Sequence, residues 1–184
     1  SNRITKIQSD NQMRFQDLER GKLGQDTQAS VSQSEKLPGS DEPQILGSVS
    51  DSDIVVTITS SREPVFKGDS LKQGAHVNAA GGNHWMRVEI DETTISRSSL
   101  IVVDDLEQAK VECGDLLSAE ARGTFRWDMA QELRDVIGGR ISGRSSNDNI
   151  TLFESMGVAL EDIAAAQFVY HKAVEQGVGQ QLPF

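Results

Sequence analysis

The chain has 184 residues, of which 36% are hydrophobic and 5% aromatic, enough to build one domain with a modest core. Its 28 acidic residues outnumber its 18 Lys and Arg, and the formal charge of −10 argues against nucleic-acid and anionic-membrane binding. A single cysteine, Cys113, excludes an internal disulfide and fits a reducing compartment. No apolar run approaches the roughly 20 residues of a membrane span. These properties predict a cytoplasmic protein without nucleic-acid or membrane partners.

The first 50 residues differ in composition from the rest of the chain. A helix is predicted over 10–23, where a few apolar side chains recur among polar ones. Residues 24–50 are rich in Ser, Gln and acidic residues and contain two prolines. We interpret them as a polar connection, because such a composition offers little to bury.

Regular elements are predicted from residue 53 onward. The β-branched run DIVVTITS (53–60) has the length and apolar content of a strand buried on both faces of a parallel sheet. Further strands are predicted at 75–80, 99–105 and 150–155. Helices are predicted at 106–112, 127–137 and 157–177. Strands that alternate with helices, without a tight hairpin signal, predict an α/β fold with a mostly parallel sheet and a long C-terminal helix.

Small and polar residues stand at the ends of three of these strands. They are Thr59, Ser60 and Ser61 in the first case, Gly81, Gly82 and Asn83 in the second, and Ser155 in the third. Open parallel sheets bind ligands beyond the carboxyl ends of their strands, so these residues suit a flat nucleotide. The same residue types also occur in ordinary strand-to-helix turns, and the pattern alone leaves both interpretations open.

Several motifs with known chemistry are absent from the sequence. It contains no Gly-x-Gly-x-x-Gly dinucleotide fingerprint, no Walker A lysine motif and no Gly-x-Ser-x-Gly nucleophile elbow. His76, His84 and His171 are scattered and have no thiolate partners, so no metal site is predicted. The residues by themselves therefore predict a nucleotide-binding α/β domain without its phosphate loop.

Four longer blocks of sequence carry a family resemblance. They read SDIVVTITSSREPVF…LKQGAHVNAAGGNHWMRVEID, LIVVDDLEQAKVECGDLL, ELRDVIGGRISGR and ITLFESMGVALEDIAAAQFVYHKA. In order, spacing and character, over residues 52–177, they resemble the ornithine cyclodeaminase and mu-crystallin family of NAD(P)-linked proteins. The opening SNRITKIQSDNQMRF resembles the family's Asn-Arg-Thr segment at the end of the second Rossmann strand, followed by a helix.

The resemblance implies that the chain begins partway into a Rossmann domain. Residues 1–155 would form an incomplete NAD(P)-binding domain, with its first strand, its glycine-rich turn and an N-terminal substrate and dimerisation domain upstream. Residues 156–184 would form a helix and tail that return toward that N-terminal domain. The resemblance further implies NADP or NAD as cofactor, an amino acid or cyclic imine as substrate, and a homodimer for the full-length protein.

The resemblance also assigns residues to the cofactor. Asn2 and Arg3 match the pair beside the adenosine ribose, where the Arg3 guanidinium would grip a 2′-phosphate and favour NADP over NAD. The alternative is an exposed terminal arginine without a partner. A strand end beneath the dinucleotide, the turn against the nicotinamide and a serine near its amide are matched as well. These matched residues are Thr59, Ser60, Ser61, Ala80, Gly81 and Ser155.

Two residues are candidates for catalysis. Asn83 matches the position at which cyclodeaminases carry an aspartate that exchanges a proton with the substrate amine. An asparagine amide does not titrate in the useful range and is no general base, although it can hold a carboxylate, an imine nitrogen or a water. Glu112 matches a family acid near the substrate pocket, where it would pair with an ammonium or iminium. The alternative for Glu112 is a surface acid of a helix.

The asparagine at position 83 favours hydride transfer between nicotinamide and an imine or amino acid, as in a ketimine or pyrroline-carboxylate reductase or an alanine dehydrogenase. The alternatives are an ornithine cyclodeaminase that releases ammonia and forms proline, a non-catalytic protein that binds NADP and a small ligand, and an inactive fragment. Because the phosphate loop is missing, we expect the chain by itself to be catalytically inactive.

Other conspicuous residues near these positions are expected to serve the fold. Trp85 and Trp127 favour packing over stacking on a ligand. Asp104 and Asp105 favour capping of the helix that follows them. His84, next to the candidate asparagine, is a further candidate for a proton donor.

Overall fold

A computed structural model describes residues 3–8, 28–33, 49–180 and 182 of the chain. Its strands are β1 (Arg3–Gln8), β2 (Gln28–Gln33), β3 (Ile54–Ile58), β4 (His76–Ala79), β5 (Ser98–Val103), β6 (Ala130–Glu132) and β7 (Ile150–Glu154). Its α-helices are α1 (Glu92–Arg97), α2 (Leu106–Glu112), α3 (Gly114–Ala121), α4 (Leu133–Ile137) and α5 (Ala159–Glu175). Single 3₁₀ turns lie at Gly68–Ser70 and Trp127–Met129.

The described strands form one seven-stranded sheet in the order β2-β1-β3-β4-β7-β5-β6. Each pair of neighbouring strands in this sheet is parallel. The α/β architecture predicted from the sequence is therefore confirmed. Because parallel strands all end at the same edge, the residues that follow β3, β4, β5 and β7 are brought together.

Most of the predicted elements after residue 53 are confirmed. The four predicted strands correspond to β3, β4, β5 and β7, and two of the predicted helices correspond to α2 and α5. The helix predicted over 127–137 is wrong, because that stretch forms a 3₁₀ turn, then β6, and only then the short α4. Residues Ala130–Glu132 pair with the outer edge of β5. Pairing with an open strand edge outweighs helical propensity, which differs by less than about 1 kcal/mol per ordinary residue.

The described part of the first 50 residues, 3–8 and 28–33, forms two strands that the composition does not reveal. β1 begins at Arg3, so the segment expected at the end of a strand instead starts one. β2 lies within the stretch interpreted as a polar connection and pairs with β1 from Arg3↔Gln28 to Gln8↔Gln33. Its sequence QASVSQ alternates polar and apolar side chains, a pattern typical of a strand. The helix predicted over 10–23 lies outside the described residues.

One face of the central strands is fully buried and the other only in part. Val55 and Thr57 in β3, and Val77 and Ala79 in β4, are 0% exposed, whereas their neighbours along each strand are partly exposed. Apolar and β-branched side chains suit these positions because they pack well on a pleated surface. The expectation that residues 53–60 are buried on both faces therefore holds for one face of β3.

α5 stands apart from the core. None of its 17 residues is buried. Six large apolar side chains of the helix are 63–71% exposed, namely Leu160, Ile163, Phe168, Val169, Tyr170 and Val174. Among the residues that the structure describes, no helix has both the length and the apolar character that a membrane span requires.

His76 belongs to a hydrogen-bonded cluster at the amino edge of the sheet. Its Nδ1 lies 2.7 Å from Thr151 Oγ1, and its Nε2 lies 3.1 Å from Asn78 Oδ1. The Arg144 guanidinium donates to Thr151 Oγ1 at 3.0 Å and also to Gly74 O. Burial lowers the pKa of His76; the hydrogen bond to Asn78 partly offsets this effect, and the charge of Arg144 adds to it. The fold therefore favours the neutral imidazole.

We predict that this imidazole makes the free energy of unfolding fall as the pH drops below about 6.5. Because the folded-state pKa lies below the unfolded value, the unfolded chain takes up the proton first, so the stabilisation is present above that pH and lost below it. Urea unfolding between about pH 8 and pH 5 should show a smaller fall in His76→Gln. His171→Gln, at an exposed site on α5, is the matched control. An equal pH dependence in wild type and His76→Gln would contradict the prediction.

Candidate functional site

The residues predicted to bind a ligand gather at the carboxyl edge of the sheet. β3, β4, β7 and β5 are consecutive neighbours in this order. Their final residues pair in register, since Thr57, the residue before the end of β3, lies opposite Ala79, Ala79 opposite Glu154, and Glu154 opposite Val103. The segments that come next in the chain therefore lie side by side, namely 59–61, 80–83, 155–157 and 104–105.

The carboxylate of Glu89 joins the ends of β3 and β4. Glu89 is 0% exposed, and its Oε2 accepts hydrogen bonds from Thr57 Oγ1 at 3.0 Å and from the Gly81 N–H at 2.7 Å. Its Oε1 accepts a hydrogen bond from the Thr59 N–H. A Cβ atom at Gly81 would overlap both this carboxylate and the Thr59 main chain. Only glycine permits this close approach.

Asp115 holds the segment that carries Glu89. Its Oδ1 accepts hydrogen bonds from the N–H groups of Glu89, at 2.7 Å, and Ile90, at 2.9 Å. Asp115 lies in the first turn of α3, where the helix dipole favours a carboxylate. A Cβ atom at Gly82 would overlap Asp115 Oδ2, so the turn after β4 lies directly against this carboxyl group.

Two buried carboxyl oxygens near Gly82, Asp115 Oδ2 and Glu154 Oε1, have no hydrogen-bond partner among the described residues. The other oxygen of Glu154 accepts from the Cys113 thiol at 3.7 Å. Burial raises the pKa of Asp115 to about 7, although two main-chain N–H donors oppose the shift. Burial, with the charges of Asp115 and Glu89, raises the pKa of Glu154 well above its usual value. A proton on these groups removes the cost of a buried unpaired charge.

The turn after β4 presents Asn83 to solvent. The Gly114 N–H donates to Gly82 O at 2.9 Å, and the Arg87 N–H donates to His84 O at 2.8 Å. The Arg87 guanidinium donates to Asn83 Oδ1 at 3.0 Å. Asn83 is exposed, and its Nδ2 has no partner among the residues that the structure describes. Asn83 therefore has a fixed acceptor atom and a donor group that remains available to a ligand.

The two tryptophans differ in their surroundings. Trp85, at the tip of the same turn, is 63% exposed, and its ring stacks on His84 with 5.8 Å between centroids. The expectation that Trp85 serves packing is therefore wrong, because the turn is closed by its own main-chain bonds and leaves the ring exposed. Trp127 packs edge-on against Phe125 at 5.2 Å, so the expectation for Trp127 is confirmed.

Asp104 and Asp105 have different roles. Asp105 caps α2 by accepting a main-chain N–H of its first turn at 2.8 Å, as expected. Asp104 Oδ2 instead accepts from the N–H groups of Met156, at 2.7 Å, and Gly157, at 2.8 Å, and from the Ser155 hydroxyl at 3.3 Å. Asp104 thus ties the end of β7 to the end of β5.

Six of the predicted cofactor residues lie at this edge in unequal environments, and one of them, Gly81, is buried. Thr59 is buried, and its Oγ1 accepts from the Ser61 N–H at 3.2 Å, so its hydroxyl serves the turn. Ser60 is exposed, while Ser61, Ala80 and Ser155 are partly exposed. The strand ends therefore offer a ligand small side chains, hydroxyl groups and main chain.

The structure does not bring every predicted residue to this edge. Glu112, the last residue of α2, is partly buried and accepts from Gln108 Nε2 at 2.9 Å. Arg3 starts β1, whose next residue pairs with the first residue of β3, so Arg3 lies at the opposite, amino edge. It lies there because RITKIQ pairs along its length as a strand and does not end at Arg3. Asn2 lies outside the described residues.

A cavity of about 400 Å³ lies between the loop after β3 and the helices α1 and α3. Its lining includes Arg62, Val88, Ile95, Ser118 and Arg122. None of the predicted site residues lines this cavity. The candidate site is therefore the open strand edge.

Sequence reasoning missed the three buried acids, Glu89, Asp115 and Glu154. Each stands beside apolar residues, in RVEID, CGDLL and ITLFES respectively. Acidic residues are rarely buried without a partner, so an acid within an apolar run was the available signal.

Known proteins share this fold. The model of the ornithine cyclodeaminase/mu-crystallin family matches residues 16–177. A Delta(1)-pyrroline-2-carboxylate reductase of Bacillus cereus is 39% identical over 137 residues, which cover 74% of this chain and 42% of that protein. An alanine dehydrogenase of Archaeoglobus fulgidus is 39% identical over 133 residues, which cover 72% of this chain and 41% of that protein.

A solved structure with the same architecture is that of Thermococcus litoralis Delta(1)-pyrroline-2-carboxylate reductase in complex with NADH and L-proline. It matches with a TM-score of 0.77 and 27% identity, over 98% of this chain and 61% of that chain. The chain spans less than half the length of the curated relatives it matches.

We predict that Asp115→Asn stabilises the fold progressively as the pH rises from about 4 to 8. The folded-state pKa of Asp115 is raised to about 7, so the stability it contributes is present at low pH and lost as the pH rises through 7. Asparagine keeps the acceptor for Glu89 and Ile90 without ionising. The variant should gain on the order of a few kcal/mol relative to wild type across this range, by chemical denaturation.

The matched control for this comparison is Asp162→Asn, which changes an exposed acid of α5. A difference between Asp115→Asn and wild type that does not change with pH would show that Asp115 ionises normally in the folded protein.

Proposed function

This chain belongs to the ornithine cyclodeaminase/mu-crystallin family, and from that premise we propose that it forms the nicotinamide-facing part of an NAD(P)-dependent oxidoreductase. The reaction is hydride transfer between nicotinamide and an imine or its amino acid, of the pyrroline-carboxylate reductase, ketimine reductase or alanine dehydrogenase type. The observation that carries the proposal is the parallel-sheet edge at which small, hydroxylated residues adjoin an exposed Asn83.

The described residues fit the nicotinamide half of a dinucleotide. Ser60, Ala80 and Ser155 are small and at least partly exposed, so a flat ring can approach the main chain at the strand ends. The residues proposed to hold this half are Thr59, Ser60, Ser61, Ala80, Gly81 and Ser155. When bound, nicotinamide supplies the hydride donor or acceptor at its C4 atom.

The pyrophosphate has no comparable cradle among the described residues. The start of α2 is capped by the Asp105 side chain, and the Gly114 N–H at the start of α3 donates to Gly82 O. Phosphate binding at a helix start needs free N–H groups. We propose that the full-length protein supplies the phosphate contacts from residues other than these. The placement of Arg3 at the opposite edge gives no support to a preference for NADP over NAD.

Asn83 is proposed to orient the substrate and not to move a proton. Its Oδ1 is held by the Arg87 guanidinium, which leaves Nδ2 to donate to a substrate carboxylate or to a water. An aspartate at this position could exchange a proton with the amine of ornithine, whereas an amide does not titrate in that range. Asn83 therefore favours imine reduction or amino-acid oxidation over cyclisation of ornithine. Glu112, the partly exposed last residue of α2, is proposed to pair with an ammonium or iminium group.

We propose that residues 156–184 pack against the substrate and dimerisation domain of a full-length homodimer. The support is the exposure of α5. None of its residues is buried, and its large apolar side chains lie exposed on several faces of the helix. Exposed apolar surface of this extent marks an interaction site.

Binding of a dinucleotide tests the oxidoreductase proposal. We predict that residues 1–184 bind NADH about 10- to 100-fold more weakly than the full-length protein, because charge-assisted phosphate contacts are worth about 1.5–3 kcal/mol. Titration of nicotinamide fluorescence with NADH and NADPH measures both affinities. Failure of both proteins to bind either dinucleotide would overturn the proposed function, and tight binding without turnover of any imine would favour a non-catalytic binding protein.

Substitution of Asn83 tests its orienting role. In the full-length protein, Asn83→Ala should lower kcat/KM for imine reduction about 10- to 100-fold through loss of a hydrogen bond to the substrate. The affinity for NADH should stay unchanged. Asn147→Ala, in an exposed loop at the amino edge, is the matched control. Equal kcat/KM values in wild type and Asn83→Ala would remove Asn83 from the site.

A further inference from the structure

We propose that Glu89 is a positioning residue for the ligand edge: its buried carboxylate sets the spacing of the Thr59 and Gly81 main chains against which the nicotinamide ring lies. This inference rests on the proposed function, because it assigns a role within the same site. It adds a residue that contacts neither cofactor nor substrate.

The hydrogen-bond ladder between β3 and β4 stops at Ala80, one residue before Gly81. The Ala80 N–H still donates to Thr57 O across β3 and β4, at 2.9 Å. The next N–H along the chain, at Gly81, donates to Glu89 Oε2, and the Thr59 N–H donates to Glu89 Oε1. One carboxylate thus accepts from both strand ends, just where the strands pass into their turns. Its two oxygens fix how far apart these main chains lie.

The Glu89 carboxylate has no cationic partner among the described residues. None of the ion pairs between described residues includes Glu89. Two N–H groups and the Thr57 hydroxyl stabilise the carboxylate instead. Such charge-assisted bonds are stronger and more directional than neutral ones, so the donors are held in place by the carboxylate.

The main chain of Glu89 is itself held in place on both sides of its side chain. Its N–H donates to Asp115 Oδ1 at 2.7 Å, and its carbonyl accepts from the Val65 N–H at 2.9 Å. A Cβ atom at Gly81 would overlap the Glu89 carboxylate. The acid and the glycine therefore define one geometry together, and neither can shift without moving the turn that carries Asn83.

Direct chemistry by Glu89 does not fit these contacts. The side chain is 0% exposed, and both oxygens are engaged by the strand ends. A general base needs a free lone pair within reach of the substrate proton. Glu89 therefore acts through the main chain that it holds.

The test compares Glu89→Gln with wild type. Glutamine keeps the size of the side chain, but its NH₂ group must face a donor, either Thr59 N–H or the Gly81 and Thr57 pair. We expect at least a tenfold rise in the Kd for NADH, measured on the full-length protein and on residues 1–184. In the full-length enzyme the KM for NADH should rise, and kcat should fall because the ring is displaced. The Gly81 amide proton resonance should shift upfield as its carboxylate bond is lost.

Two further variants separate positioning from stability. Thr57→Val removes one of the three donors and should raise the Kd for NADH about two- to fivefold while the protein stays folded. Thr151→Val removes a buried hydroxyl at the amino edge, where it bonds His76 and Arg144, so it should lower the melting temperature without changing the Kd. If Glu89→Gln does not fold, the Kd values of Thr57→Val and Thr151→Val for NADH, compared with each other, decide whether Glu89 positions the edge.

The outcomes are distinct for the two proposals. The positioning role would be overturned if wild type binds NADH and the Kd of Glu89→Gln lies within twofold of the wild-type value. Equal changes of this Kd in Thr57→Val and Thr151→Val would overturn it as well. If wild type binds no dinucleotide, the proposed function fails. Whether the Glu89 carboxylate sets the spacing of the two main chains is then decided by the amide resonances of Thr59 and Gly81. These resonances must change in Glu89→Gln, while the amide resonances near Thr151 stay unchanged.

Discussion

The hydrogen bonds from the ends of β3 and β4 to the Glu89 carboxylate are the interaction on which the site depends. Main-chain N–H groups that leave a parallel ladder need another acceptor when they are buried. Glu89 supplies it for Thr59 and Gly81, and the cost of burying the acid is met by these same donors. The need for glycine at position 81 follows from this arrangement.

The electrostatics of the edge follow from the burial of further acids behind it. Asp115 and Glu154 lie behind Gly82 with one oxygen each unpartnered among the described residues, and burial raises the pKa of both. A protonated form of these groups lowers the negative charge next to the strand ends. A lower negative charge suits a site proposed to bind a dinucleotide and a carboxylated substrate, because both are anionic and the chain has a formal charge of −10.

The proposed chemistry depends on the Asn83 amide, which stands at a position where a carboxylate could support cyclisation of ornithine. Asn83 lies in a turn closed by main-chain bonds and by the Arg87 guanidinium, so its orientation is set before any ligand binds. An amide held in this way can position an imine and its carboxylate, and it leaves proton transfer to another group. The exposed α5 is the surface on which we propose that the substrate domain packs.

The sequence by itself determined the α/β class, because its β-branched runs and helical patterns form strands and helices in the folded chain. It also predicted a ligand site at the carboxyl ends of the strands, since small residues at parallel strand ends meet at one edge. Only the tertiary structure decided that Ala130–Glu132 form a strand, that Arg3 lies at the amino edge, and that Glu89 is buried. Each of these depends on a partner distant in the chain: the edge of β5, the register with β3, and the N–H groups of Thr59 and Gly81. Local propensity differs by too little to decide such pairings. The sequence does not distinguish a buried acid from an exposed one in an apolar run, because that depends on the groups that donate to it.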